Sequence, residues 1–444
     1  MTAPAPAPAP APAARRALRR TAAGPLTAGP LTVALLTTAL VAASTSCTGP
    51  APTRTAPART APTPTPSDDG AWRGAWAASP QPPSDGNWSE RGFADHTLRQ
   101  VVRLTAGGTG VRIELSNRYG TMPLRIAGAT VARPAEGAAV RPGSVRTLTF
   151  GKRPSATVPV GGTLLSDGLP LTVRPFESLT VTLRPAGPTG PATVHRMASA
   201  TGYRAAGDHR GDVSGSAFTE TGTSWYYLTG VEVTGGPDGH RRDGVVAFGD
   251  SLTDGHGSTL DADRRYPDRL AERLAALGRP RAVLNHGISG NKVVRHGGGA
   301  GEKALDRFAP DALDERGVGT VLVLEGINDI GGRLRPDVSV DELIAGHREL
   351  VRQAHARGLK AVGATLVPFK GSAYHTPENE AQRDAFNRWM RASGTYDAVI
   401  DLDRALADPA DPDRMRPAYD SGDHLHPSDA GYRAMAEAVD PGAL

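Results

Sequence analysis

Cysteine is nearly missing from this chain. Cys47 is the only one in 444 residues, so no internal disulfide can staple the fold. Long apolar runs are also missing. Leu31 to Ala43 is the candidate, and it is too short for a comfortable membrane span. Excess basic charge is missing from the body of the protein. Residues 1–67 hold six arginines and no acid, which leaves 44 basic against 46 acidic residues in the remainder. The high pI of about 9.3 therefore belongs to a tail, and nothing marks a nucleic-acid surface. Several catalytic signatures are absent too. There is no G-x-S-x-G elbow and no H-E-x-x-H zinc motif, and the Gly297-Gly298-Gly299 run is not followed by the Lys-Ser/Thr of a phosphate loop. That glycine run is expected to be a flexible loop near the mouth of the site. No cofactor and no metal is expected.

What is present begins with an export pattern. Arg15-Arg16 and Arg19-Arg20 form a basic start, Leu31 to Ala43 an apolar core, and Ser44-Thr45-Ser46 a small-residue stretch before Cys47. This arrangement resembles a bacterial lipoprotein box. It implies that residues 1–47 are an export signal, with a lipid on Cys47 as a possible membrane anchor and plain secretion as the alternative. Residues 48–70 are rich in Thr, Pro and Ala without apolar periodicity, and read as an extended tether.

Two folded regions follow. Residues 71–240 show short alternating runs such as Val111-Arg112-Ile113-Glu114-Leu115 and Leu179-Thr180-Val181-Thr182-Leu183, divided by glycine-rich turns. That pattern predicts an all-β sandwich or jelly-roll-like domain. Trp72, Trp76, Trp88 and Trp225 fall here, and core or interdomain packing is preferred to a sugar-binding face. Residues 241–444 change period. Apolar runs at Val245–Phe248, Ala282–Asn285, Thr320–Leu324, Lys360–Leu366 and Ala398–Leu402 alternate with helical patterns such as Tyr266–Leu277 and Asp341–Arg357. Apolar strands between helices predict an α/β domain with a parallel sheet covered on both faces. Reactive groups in such sheets gather beyond the carboxyl ends of the strands.

The candidate chemistry obeys that rule. Gly249-Asp250-Ser251-Leu252 follows the first strand and offers a serine hydroxyl. Asp423-His424-Leu425-His426 offers a carboxylate and an imidazole three residues apart. His426 can serve as base for Ser251, with Asp423 holding its ring. The backbone N–H groups of Ser251 and Gly290 and the amide of Asn328 are candidate donors to an oxyanion. Pro427 is expected at the first position of a helix. Asp250 and Asp254 are expected to brace the turn. His256, His286 and His424 are expected to line the site or face solvent rather than hold a metal. Phe386 and Trp389 read as core. Tyr374 and His375 read as loop residues with an alternative role in lining a substrate pocket.

Four blocks in this order resemble the SGNH, or GDSL, hydrolase family: Gly249-Asp250-Ser251-Leu252, Gly287 to Gly290, Gly326-Ile327-Asn328-Asp329, and Asp423 to His426. The preceding β-region resembles that of two-domain secreted actinobacterial members. The resemblance implies a flavodoxin-like three-layer α/β/α domain. It also implies ester hydrolysis with Ser251 as nucleophile, Asp423 and His426 completing the triad, and Ser251, Gly290 and Asn328 forming the oxyanion hole. The leading expectation is an extracytoplasmic serine esterase acting on short-chain or O-acetyl carbohydrate esters, either small molecules or a polysaccharide. A lipase or phospholipase-type esterase is the alternative. A non-catalytic envelope carbohydrate-binding protein is the reading from another class.

Overall fold

The computed structural model describes residues 72–235, 242–331 and 338–444. The export and tether expectations, Cys47 included, lie outside these residues.

Among the described residues, the N-terminal region is built from two main antiparallel sheets. One pairs Trp72–Ala77 with Leu228–Thr234, then Gly108–Ser116, which in turn pairs with Thr163–Leu165 and Leu169–Val173. The other runs Glu220–Gly222, Gly202–Ala206, His96–Arg103, Ser178–Pro185, Leu124–Ala132, with Arg146–Leu148 and Ala156–Val158 both pairing with the last of these. Strand period places alternate side chains on opposite faces. Val111, Ile113 and Leu115 therefore enter the core with Leu179, Val181 and Leu183. Their neighbours Arg112 and Glu114 face the other way and bond Glu232 and Thr229. Trp76 and Trp225 are buried edge to face, with centroids 4.8 Å apart, and Trp88 stacks on Tyr226. These tryptophans pack rather than present an open sugar platform.

The C-terminal region is a parallel sheet of β1 (Gly244–Gly249), β2 (Val283–Gly287), β3 (Val318–Leu324), β4 (Lys360–Ala364) and β5 (Ala398–Ile400), in spatial order 2-1-3-4-5. This is the flavodoxin-like order, in which the chain reverses direction across the sheet between β1 and β3. Central strands β1 and β3 are almost wholly buried, which explains their unbroken apolar runs. The helices that cover the sheet include α1 (Ser251–Asp254), α2 (Tyr266–Ala276), α3 (Ile327–Ile330), α4 (Val340–Ala356), α5 (Pro377–Ala392) and α6 (Asp429–Ala438). Helix α2 packs with α6, and α4 with α5, in the three-layer α/β/α arrangement.

Helix α6 starts later than expected. Ser428 is its N-cap, accepting from the Gly431 N–H, so Pro427 precedes the cap instead of opening the helix. A serine hydroxyl can satisfy an orphan N–H there, which proline cannot.

The two regions meet along the β2 edge of the parallel sheet. Thr105 Oγ1 donates to the Val283 carbonyl and accepts from the Val283 N–H, at 3.0 and 3.1 Å. The Gly74 N–H donates to the Arg316 carbonyl at 3.0 Å. The β-region thus covers β2, an edge that would otherwise invite pairing with another chain. All described residues fall within one compact unit.

Candidate active site

The turn after β1 raises Ser251. Asp250 caps α1 by accepting from the Leu252 N–H at 3.0 Å, and Gly255, at φ 103°, ends the helix after one turn. Ser251 occupies the first helical position, where backbone N–H groups lack helical partners. It is 6% exposed.

Far along the chain, the segment 420–427 folds over it. His426 Nε2 lies 2.8 Å from Ser251 Oγ, and His426 Nδ1 lies 2.6 Å from Asp423 Oδ2. Asp423 Oδ1 also accepts the backbone N–H groups of Leu425 and His426, at 3.0 and 2.8 Å. Three residues are enough for this loop to turn the carboxylate back onto the ring. Burial pushes the Asp423 carboxyl up. The hydrogen bonds from His426 and Leu425 outweigh it and hold the group at about 2. Burial pushes the His426 pKa below its ordinary value against the opposing pull of Asp423, with His256 adding a smaller downward push. The ring is therefore disposed to be neutral near pH 7, the form a base requires.

The candidate oxyanion donors lie on neighbouring segments, joined by the bonds of Asp254 to Ser289 and of Asn328 to Asn291. Gly290 holds φ 81°, a conformation that favours glycine. Among the described residues neither its N–H nor that of Ser251 has a hydrogen-bond partner. Asn328 is buried on α3 and its Nδ2 donates to the Asn291 carbonyl at 3.0 Å, next to Gly290. One Nδ2 hydrogen remains for a ligand. Gly287 lets the loop pass close: a Cβ there would lie 2.1 Å from the Asp254 nitrogen.

Residues 247–434 match the model of the GDSL-like Lipase/Acylhydrolase family. The C-terminal domain belongs to that family. The protein is a carboxylic ester hydrolase. Similar solved structures include a GDSL-like lipase from Bacteroides thetaiotaomicron, 16% identical over 46% of this chain and 88% of that one, with a TM-score of 0.34. An aryl esterase from M. Smegmatis is 15% identical over 44% and 94%, with a TM-score of 0.36. An acetyl-xylooligosaccharide esterase variant from Geobacillus Stearmophilus is 24% identical over 45% and 92%, also at 0.36. No curated protein matches the chain. The family assignment rests on the sequence match.

Beneath the nucleophile turn, the GDSL domain buries a charge cluster. Arg307 stacks over Phe248 at 4.0 Å and donates to the carbonyls of Gly249 and His286, at 2.8 and 2.9 Å. It also bonds Asn291 Oδ1 at 2.8 Å and approaches Glu325 and Asp311, at 3.6 and 3.2 Å. One cation thus ties strand ends β1 and β2 to the Asn291 loop. Asp250 and Glu325 face each other in this layer with little else to bond. Burial raises both carboxyls, Asp250 to about 7, and the charge of Asp250 raises Glu325 further. Both carboxyls are thereby biased toward their protonated forms.

Of the remaining residues, some depart from expectation and others meet it. His286 is not in the site. It points to the β-region, between Ser79 Oγ and Glu315 Oε1, at 3.0 Å each, because it follows the outward face of edge strand β2. The Gly297–Gly299 run contributes to a short 3-10 turn, Gly298–Ala300, tied by Gln81 Nε2 to the Gly299 carbonyl at 3.1 Å. His424 bonds Asp420, and His375 lies against Phe369. Phe386 is core and Trp389 packs against it. Asp254 braces the loop as expected, accepting from Ser289.

Tyr374 has a role the sequence did not specify. Its hydroxyl donates to Asn328 Oδ1 at 2.8 Å and fixes the orientation of that amide. His256 lies against the His426 ring. No spacing signal links either pair. His256, Asp423 and His426 offer possible metal-ligand atoms within 4.8 Å of one another. Both His426 nitrogens already serve Ser251 and Asp423, so a metal there would dismantle the hydrogen-bonded chain.

Proposed function

We propose that this protein is a serine esterase acting outside the cytoplasm on short-chain acyl esters, with O-acetylated carbohydrates as the preferred class. The observation that carries the catalytic reading is the continuous chain from Asp423 through His426 to Ser251, at 2.6 and 2.8 Å. His426 takes the Ser251 proton as Oγ attacks the ester carbonyl, and Asp423 stabilises the imidazolium. The negative oxygen receives hydrogen bonds from the Ser251 and Gly290 N–H groups and from Asn328 Nδ2. Each such donor is worth about 3 kcal/mol in the transition state. His426 then gives its proton to the leaving alcohol. Water, activated by the same ring, attacks the acyl-enzyme and restores Ser251.

The substrate preference rests on the polar surroundings of the serine. Asn328, Tyr374, His256 and the half-exposed Asp423, 45% at its side chain, suit a small acyl group on a hydroxyl-rich alcohol. The exported location rests on the sequence pattern of residues 1–47.

Hydrolysis of p-nitrophenyl esters from C2 to C16, beside a Ser251→Ala variant, tests this reading. Acetate is expected to be cleaved fastest, with kcat in the variant reduced by roughly 10⁴-fold or more. A variant as active as the parent would remove Ser251 as nucleophile. A preference for palmitate would overturn the acyl-length assignment.

A further inference from the structure

A buried side chain of the β-region reaches the residues behind Ser251 and Gly290. His195 ends the two-residue strand Val194–His195. Its Nδ1 lies 2.9 Å from the Ser79 carbonyl oxygen. Its Nε2 lies 3.0 Å from Asp254 Oδ1 and 3.2 Å from the Met197 carbonyl oxygen. Every one of these partners is an acceptor. Both ring nitrogens must therefore carry hydrogen, and the ring is an imidazolium. Trp225 stacks on it with centroids 5.5 Å apart and planes 30° apart, a favourable face for a cation.

The carboxylate it meets is placed between the two halves of the site. Asp254 closes α1, three residues after Ser251, and is buried. Its Oδ2 accepts both the Ser289 N–H, at 2.8 Å, and the Ser289 hydroxyl, at 2.7 Å. Ser289 immediately precedes Gly290. The nearby cation Arg265 is already engaged by Asp268, at 2.7 Å. His195 is thus the direct donor to Asp254 Oδ1, and a buried carboxylate without such a partner takes up a proton or turns toward solvent.

We propose that His195 is a positioning residue for catalysis: from the β-region it holds Asp254 so that Asp254 grips Ser289 and fixes the Gly290 N–H beside Ser251. This rests on the oxyanion role proposed above for Gly290. The role requires no contact between His195 and substrate. It makes the β-region a structural part of the active site rather than an appended module.

The test is steady-state hydrolysis of p-nitrophenyl acetate by the full chain, with rates referred to active sites counted by burst titration. His195→Leu should lower kcat by roughly 10- to 100-fold with KM changed less than about twofold, since a misplaced oxyanion donor acts in the transition state. His195→Gln, whose amide N–H can replace Nε2 toward Asp254, should stay within about fivefold of the parent. Ser289→Ala, which keeps the backbone bond and loses the hydroxyl bond, should fall by about three- to tenfold. Unchanged kcat in His195→Leu, or equal losses in the Leu and Gln variants, would overturn the proposal. Should His195→Leu fail to fold, Ser289→Ala decides, and an unchanged kcat there overturns it. The Ser251→Ala control separates the failures. Loss in that control with His195→Leu unaffected sinks the positioning role alone, whereas full activity in it sinks the catalytic reading beneath.

Discussion

His256 lies against His426, with ring centroids 4.1 Å apart and planes tilted by 40°. One ring is exposed to solvent and the other is the proposed base. The arrangement couples the protonation of His426 to a neighbour that never needs to touch Ser251.

The sign of that coupling is set by like charges. His426 works only when neutral, so kcat/KM should rise with pH through its apparent pKa. Burial, chiefly, and protonated His256 both lower that pKa from the ordinary histidine value of about 6.5. His256→Ala removes a like charge, so the acid limb of the pH–rate profile should move to higher pH. A limb that stays fixed or moves to lower pH would show that the stacked ring exerts no such influence.

Tyr374 is expected to act on Asn328 through orientation. Without its O–H···Oδ1 bond the amide is free to turn its Nδ2 away from the oxyanion. A net hydrogen bond of about 1 kcal/mol corresponds to a fall of roughly three- to tenfold in kcat for Tyr374→Phe, with KM nearly constant. A rise in KM at constant kcat would instead assign Tyr374 to contact with the alcohol.

The Asp250–Glu325 pair predicts a pH-dependent stability difference. Both carboxyls titrate higher in the folded protein than in the unfolded chain. Their contribution is therefore present below about pH 4, where the unfolded chain is also protonated, and is lost as pH climbs toward 7. Glu325→Gln keeps a neutral partner for Asp250 and removes one of the two titrations. The Tm of the variant relative to the parent should rise between pH 5 and 8. Thermal scans at several pH values in that interval check it, and a constant or shrinking difference would refute the raised titration of the pair.

The fold was legible in the sequence wherever period or motif carried it. Val245–Phe248 and Thr320–Leu324 read as buried strands because β1 and β3 are covered on both faces. The strand at 398 read too long. β5 ends at Ile400, and Asp401 caps the next helix by accepting from the Arg404 N–H. Pro427 was misplaced because the cap preference of Ser428 competes with the preference of proline for the first helical turn. His286 was drawn toward the site by its place beside Gly287, yet strand alternation turns its side chain to the opposite side.

By itself the sequence determined the order of the domains, the alternation that builds a parallel sheet, and the serine, histidine and aspartate of the candidate triad. Those depend on local period and on short motifs whose geometry is set within a few residues. Only the tertiary structure decided what supports them: Tyr374 on Asn328, 46 positions apart, and His195 on Asp254, 59 positions apart. Such pairs exist because packed layers bring particular side chains within hydrogen-bond reach. No periodicity along the chain encodes which residues those will be.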